Sequence, residues 1–359
     1  MMKLSIGLCY DSKEEYLAAG HSKLEVAEFD DEGVIAGLEG TLTGLGHSVE
    51  RVGRGKVLAA RLLAGKRWDL VFNVTEGLRG RAREAQVPAL CELFDQPYTF
   101  SDPVTCGLTL DKSLAKRIVR DAGLPTPGFL VVRTLSDLES MAYGGPLFVK
   151  PLAEGSSKGV GAYSIVNNRK QLLNTCAKLL PDFPAGLLVE ELLPGREVTV
   201  GIVGNGPRAR VIAVMEVVWT ERSEVDAYTQ LNKDEYLDRM EYRLVSGEPL
   251  AEEAAQLALS VVEALECRDA ARVDLRCDAS GRLQFIEVNP LPGLHPVRSD
   301  LPIMARLAGI AYDDLLGDIV TTARERYEDE TCTTSWLPTT PLQTSTTRRR
   351  ATSSPKSVS

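Results

Sequence analysis

Several features that commonly announce a function are scarce or missing in this sequence. Histidine occurs three times in 359 residues. The seven cysteines (Cys9, Cys91, Cys106, Cys176, Cys267, Cys277 and Cys332) are odd in number and scattered, with no Cys-x-x-Cys pair. That usage fits reduced thiols in a cytoplasmic protein rather than a disulfide framework. No Gly-x-Gly-x-x-Gly follows the first predicted strand and no Gly-x4-Gly-Lys-Ser/Thr occurs, which removes the dinucleotide fingerprint and the P-loop. No apolar run approaches a membrane span, and the one in Met1–Tyr10 is too short for a signal peptide. Basic stripes interleaved with aromatics are also missing, and the net charge is -9 with a pI of about 5.1. The expectation is no nucleic-acid partner and no membrane partner.

What is present is an ordinary globular composition, 44% hydrophobic and 25% charged, in a chain long enough for two or three domains. Leu4–Cys9, Ser48–Val52 and Trp68–Val74 read as strands, and 30–45 and 56–64 as helices between them, the first stopped by Gly46. This β-α-β-α-β rhythm predicts a parallel sheet with crossover helices. Arg83–Phe94 and Asp111–Ala122 read as further helices, and Gly123-Leu-Pro-Thr-Pro127 as a hinge. A helix is expected near 169–180, a strand at Leu187–Glu191 running into Pro194-Gly195, and a strand pair, 197–203 with 210–215, across Gly204-Asn-Gly206. A helix near 252–265 and a hairpin over 272–290 follow. Beyond about Glu330 the chain turns to Thr, Ser, Pro and Arg348–Arg350, which predicts a disordered tail.

Two stretches carry chemistry. In the first, β-prone runs ending at Val149 and resuming at Val160 flank Glu154-Gly-Ser-Ser-Lys-Gly159, with Lys150 at its entry and Lys158 at its centre. Glycines allow successive backbone amides to face one anion, and the hydroxyls and lysines add donors and charge, so the loop is composed as a phosphate clasp. A hairpin with a merely water-loving loop is the plain alternative.

The second is Arg272-Val-Asp274 to Glu287-Val-Asn289. With a four-residue turn at Asp278–Gly281, Arg272 is expected to face Glu287 and Asp274 to face Phe285, which puts Arg272, Asp274, Glu287 and Asn289 on one side. Three oxygen-bearing side chains with no His or Cys suit Mg²⁺, and Arg272 suits the charge of a transferring phosphoryl group. An exposed hairpin face with alternating charges is the alternative.

In collinear order, Phe72-Asn-Val74, Pro97-Tyr-Thr99, Asp111-Lys112-x3-Lys116, the 123–127 hinge, Val149-Lys150-Pro151 with Glu154–Ser157, Val189-Glu-Glu191, Arg272-Val-Asp274 and Glu287-Val-Asn289 with Pro292-Gly293 resemble the ATP-grasp superfamily, specifically the D-alanine–D-alanine ligase family. The resemblance runs from about Leu70 to Leu316. It implies an α/β fold, α+β in the ATP-grasp part. Residues 1–108 would form an N-terminal parallel-sheet domain, 109–190 a central lobe with the lid loop, 191–330 a C-terminal lobe with the metal site, and 331–359 a tail.

It further implies an ATP-dependent carboxylate–amine ligase working through an acyl phosphate with ADP and phosphate as co-products, two Mg²⁺ ions with Mn²⁺ as a substitute, small-molecule amino-acid substrates and a homodimer. Lys112 and Lys150 would hold the ATP phosphates, with Glu154, Gly155, Ser156, Ser157 and Gly159 in the lid. Glu190 would lie beside the adenine, backbone groups near Glu191 and Leu193 would read its edge, and Glu197 would bind the ribose. Asp274, Glu287 and Asn289 would be the metal ligands, Arg272 would steady the acyl phosphate, and Ser156, Lys233 and Ser299 complete the catalytic set.

Departures from the family pattern concern the substrates. Thr75-Glu76-Gly77 and Gly80-Arg-Ala-Arg83-Glu84 stand where His-Gly and Gly-Glu-Asp-Gly are usual. The early Gly-Gly turn and its ammonium-binding glutamate are replaced by Tyr10–Glu15, and His295–Asp300 replaces a Ser-His-Ser-like stretch. Glu76 and Glu84 are candidates for a substrate amine, His295 for the second substrate's carboxylate, and Arg79, Arg81 and Arg83 for an acidic group or simple exposure. A lysine-tyrosine pair of the mobile loop would fall within Tyr228–Tyr242, around Lys233 and Tyr236. A ligase for another amino acid or a natural-product amine, or a non-catalytic ATP-binding regulator, are the competing readings. The retained lysines, arginine and acids speak against the last.

Overall fold

The structure, a computed structural model, describes residues 2–139, 141, 143–155, 157–219 and 240–334. Strands β1 (Ser5–Tyr10), β2 (Ser48–Arg51) and β3 (Leu70–Val74) pair in parallel in the order β2-β1-β3. β3 is buried along its whole length because both sheet faces are covered, as its apolar run Leu70-Val-Phe72 demands, and the buried Asn73 accepts from the Thr75 hydroxyl at 2.6 Å. A short α1 (Lys13–Ala18) follows β1. Helix α2 (Glu32–Gly44) starts at Asp31, whose carboxylate accepts from the Val34 amide at 3.1 Å, and buries Val34, Ile35, Leu38 and Leu42 on one face of the sheet. Helices α3 (Gly55–Leu63) and α4 (Gln86–Leu93) cover the other.

Helices α5 (Pro103–Leu110) and α6 (Lys112–Asp121) lead out of this module. Asp111 caps α6, its Oδ1 accepting from the amides of Ser113 and Leu114, and Gly123 at φ +76 ends it. Strands β4 (Phe129–Val132), β5 (Leu147–Pro151), β6 (Ile165–Val166) and β7 (Leu187–Glu191) make an antiparallel sheet in the order β4-β7-β5-β6, packed on α7 (Arg169–Leu179). Strands β8 (Glu197–Val203), β9 (Arg210–Trp219), β10 (Met240–Leu244), β11 (Ala270–Cys277) and β12 (Leu283–Asn289) make a second antiparallel sheet in the order β10-β9-β8-β11-β12, packed on α6 and α8 (Pro249–Ala264).

The chain ends return to its beginning. Helices α9 (Asp300–Leu307) and α10 (Tyr312–Thr334) place Ile303, Met304, Ile319, Val320 and Ala323 in one core with Ile6, Leu8 and Phe72. Among the described residues no helix is long and apolar enough to cross a membrane.

Three sequence expectations are corrected. The helix expected over 83–94 is a 3₁₀ turn, Arg83–Ala85, followed by α4. The 252–265 helix starts earlier, at Pro249, which is tolerated there because the first-turn N–H has no partner in any helix. The hairpin register also differs: Arg272 faces Asn289 and Asp274 faces Glu287, while Leu275 faces Phe285. The tip is one residue longer than expected, closed by the Asp278 amide on the Arg282 carbonyl at 2.9 Å. That alone would turn Glu287 away, but Ile286 is an extra residue in β12 and shifts the register once more. Leu283, Phe285 and Val288 therefore enter the core, and Glu287 and Asn289 share the cleft with Arg272 and Asp274.

Candidate active site

A single cleft of about 480 Å³ is lined by the lid loop (Glu154, Gly155, Ser157, Lys158), by the acidic hairpin (Arg272, Asp274, Glu287, Asn289) and by carboxylates of the N-terminal module. The two stretches singled out in the sequence thus meet. Lys112 joins them: its ammonium donates to the Glu154 carbonyl at 2.6 Å and lies 3.4 Å from Glu287 Oε2. Lys150 projects from β5 to Glu190 Oε1 at 2.7 Å. Glu190 is 3% exposed on β7, and its second oxygen accepts no hydrogen bond although Lys116 stands 2.9 Å away.

The hairpin residues are held by close partners. Arg272 donates to both Asp274 oxygens, at 3.1 and 2.8 Å, and to Asp300 Oδ2 at 2.7 Å. Asp274 also accepts from the Thr199 hydroxyl at 2.6 Å. Burial pushes Asp274 up, with Glu287 adding to the rise against Arg272. Burial would raise Glu287 too, but Lys112, Lys150 and Arg272 hold it down at about 2. Glu197 accepts from Arg276 at 2.9 Å and is pushed up to about 7 by burial, with Asp274 contributing.

At the other end of the cleft the N-terminal module contributes Glu28, Asp30, Asp31, Glu76 and Glu84. Glu28 was not singled out in the sequence, yet it reaches the lid, accepting from the Gly155 amide at 2.7 Å and from Arg83 at 2.8 Å. Arg83 is buried and donates to the Ala153 carbonyl at 3.0 Å, so simple exposure describes Arg79 and Arg81 but not Arg83. Burial and Glu84 push Glu76 well up; burial raises Glu84 to about 7, with Arg83 opposing and Glu28 adding. On the opposite wall Arg298 crosses to Asp31 at 2.8 Å, and Ser299 Oγ accepts from the His295 amide at 3.0 Å.

Leu193, Glu191 and Glu197 line the cleft, as expected. Gly159 does not. Its φ is +74, and a Cβ there would fall 2.5 Å from the Phe183 ring, so it serves the packing behind the loop. Ser156, Lys233 and Tyr236 lie outside the described residues; Tyr242 lies in β10 and donates to Asp300 at 3.2 Å. Thr199, Asp300 and Lys116 were given no role in the sequence reading. Lys116 had a visible signal, since it stands one helical turn from Lys112 amid the core positions Ala115 and Val119.

The donor set on the hairpin is all oxygen plus an amide, which fits a hard cation. Asn289 Nδ2 is buried without a hydrogen-bond partner, so its N–H is left to donate to an oxygen inside the cleft, while Oδ1 is the atom that could face a cation. Among the described residues no three His, Cys, Asp or Glu side chains form a metal-holding group by themselves. Two carboxylates and an amide suit an ion whose remaining ligands come from phosphates and water.

Residues 118–321 match the family model described as D-ala D-ala ligase C-terminus. The chain is 31% identical to the D-alanine–D-alanine ligase of Aquifex aeolicus over 278 residues, 77% of this chain and 90% of that protein. It is 34% identical to the D-alanine–D-alanine ligase of Polaromonas naphthalenivorans over 256 residues, 68% and 76% of the two chains. Its fold matches the crystal structure of D-alanine–D-alanine ligase from Bacillus anthracis complexed with ATP, with a TM-score of 0.64 at 21% identity, covering 91% of this chain and 99% of that one. With the lid, the lysines and the acidic hairpin around one cleft, these similarities show that the chain belongs to the D-alanine–D-alanine ligase family of ATP-dependent ligases, built on the ATP-grasp fold.

Proposed function

We propose that this protein joins the carboxylate of one amino acid to the amine of a second molecule at the expense of ATP. A carboxylate oxygen attacks the γ-phosphorus and ADP leaves. The amine then attacks the acyl carbon, phosphate departs, and an amide remains. The observation that carries this reading is Lys112, whose ammonium touches both the lid backbone and Glu287, so that one cation faces a triphosphate from between the two walls. Three modules, 1–108, 109–190 and 191–330, supply those walls.

Lys112 and Lys150 take the phosphates, and Glu154–Gly159 closes over them to exclude water that would hydrolyse the activated acid. The open oxygen of Glu190 accepts from the adenine amine, backbone groups near Glu191 and Leu193 read the same edge, and Glu197 takes the ribose. Asp274, Glu287 and Asn289 would hold Mg²⁺, which when bound supplies neutralising charge to the phosphoryl group. Arg272, half-buried and fixed by two carboxylates, faces the charge that builds on the acyl phosphate and the tetrahedral carbon. Ser299 orients substrate from the loop opposite, and Ser156 and Lys233 complete the set. Glu76 and Glu84, carboxyls on the cleft wall, take a substrate ammonium.

Phosphate release from ATP is measured with a panel of D- and L-amino acids offered singly and in pairs, D-alanine first. Release that depends on one particular amino acid supports the ligase and names its substrate. ATP binding without release for any pair would sink it in favour of a regulatory binder.

A further inference from the structure

One carboxylate, that of Glu190, carries two ammonium groups: Lys150 Nζ at 2.7 Å from Oε1 and Lys116 Nζ at 2.9 Å from Oε2. The two lysines are otherwise unlike. Lys150 lines the cleft. Lys116 is fully buried behind it, and its ammonium also donates to the Phe285 carbonyl at 3.0 Å and to Thr126 Oγ1 at 3.1 Å. Two of its donor hydrogens are spent on those two oxygens and its charge faces Glu190, so Lys116, with no exposed surface, is committed to the protein.

The charge count gives this arrangement a purpose. With Lys150 alone, Glu190 would cancel it, and drawing Lys150 toward a phosphate would strand a buried carboxylate. With Lys116 present, the trio carries one surplus positive charge, and Glu190 keeps a counter-ion wherever Lys150 points.

We propose that Lys116 is a positioning residue for nucleotide binding, a fixed counter-ion to Glu190 that leaves Lys150 free to turn to the triphosphate. This rests on the reading above that Lys150 meets the phosphates. It assigns Lys116 a role through Glu190 and Lys150, with no contact of its own to the nucleotide.

The test is calorimetric binding of ATP and of adenosine to the full-length protein, because adenosine shares the base and ribose but has no phosphate. Lys116→Met is expected to lower the ATP-over-adenosine affinity ratio by about tenfold or more. The double variant Lys116→Met with Glu190→Gln removes both charges and should return the ratio to near the original, although both affinities shift through the base contact. Equal loss of both ligands in Lys116→Met, or no recovery in the double variant, overturns the proposal. If Lys116→Met does not fold, Glu190→Gln and the double variant decide it: a ratio below that of the unaltered protein in both overturns it, and an equal or higher one supports it. A ratio that Lys150→Met leaves unchanged would instead refute the phosphate role of Lys150.

Discussion

Asp274 and Glu287 face one another across the β11–β12 hairpin, and they do so because Ile286 interrupts the alternation of β12 between them and the core residue Phe285. As an ordinary strand residue Ile286 would leave Phe285 and Glu287 on one face. As the extra residue of a bulge it leaves them on opposite faces.

Deleting Ile286 should therefore leave both carboxylates in the cleft. With the extra residue gone, Glu287 follows Phe285 directly, and simple alternation still turns it to the opposite face, across from Asp274. The expected outcome is a folded protein that keeps turnover, and Ile286→Val should cost only about 0.5–1.5 kcal/mol. A deletion variant that folds but releases no phosphate would show that the local twist of the bulge, and not the side-chain parity alone, sets the site.

Glu287→Gln preserves shape and removes the charge that Lys112, Lys150 and Arg272 converge on. Turnover is expected to fall by about a hundredfold or more, with Tm little altered. Near-normal activity at saturating Mg²⁺ would count against Glu287 as a ligand.

The pH dependence of stability carries a signature of Glu84. Burial raises its carboxyl from 4.5 to about 7. Between those values the folded state holds the proton more tightly than the unfolded chain, so this group lowers stability as pH rises through the window and no further above it. Glu84→Gln removes that slope. Its advantage over the parent should be absent below pH 4.5 and grow to at most roughly 3 kcal/mol above pH 7. Thermal melts at pH 4, 5.5 and 8 check this, and a constant difference across them would contradict it.

Gly159→Ala tests the reassignment of that glycine from ligand contact to packing. Its positive φ and the nearby Phe183 ring predict a loss of about 1–3 kcal/mol in stability. An unchanged Tm would mean the loop accommodates the methyl group and the glycine serves something else.

The parts of this molecule that could be read in the sequence are those fixed by local rules. Asp111 before an amphipathic run with Gly123 after it marks α6, and Gly204-Asn-Gly206 marks the β8–β9 connection. The 153–161 loop and the 272–290 hairpin stood out because their composition is peculiar whatever their partners. The hairpin register was missed, although the apolar pattern Leu283, Phe285, Val288 already changes parity in the sequence, and Phe285-Ile286 is where it does so. Helix α5 was missed despite a capping Asp102 followed by Pro103. Glu28 could not be found this way, because nothing local in the 20–30 segment says that it will meet Gly155, 127 positions later. Arg83 gave the opposite impression: a glycine-broken, arginine-rich loop suggests solvent, and only tertiary packing buries that one arginine between Glu28 and the lid.

The Glu28 contact gives the Gly155 amide an unusual status. Its hydrogen-bond acceptor belongs to the opposite wall of the cleft rather than to its own loop. Separation of those walls would strip that proton of its acceptor, so its exchange with deuterated solvent would report how often the cleft opens, read at a single amide and anchored by a carboxylate near the start of the chain.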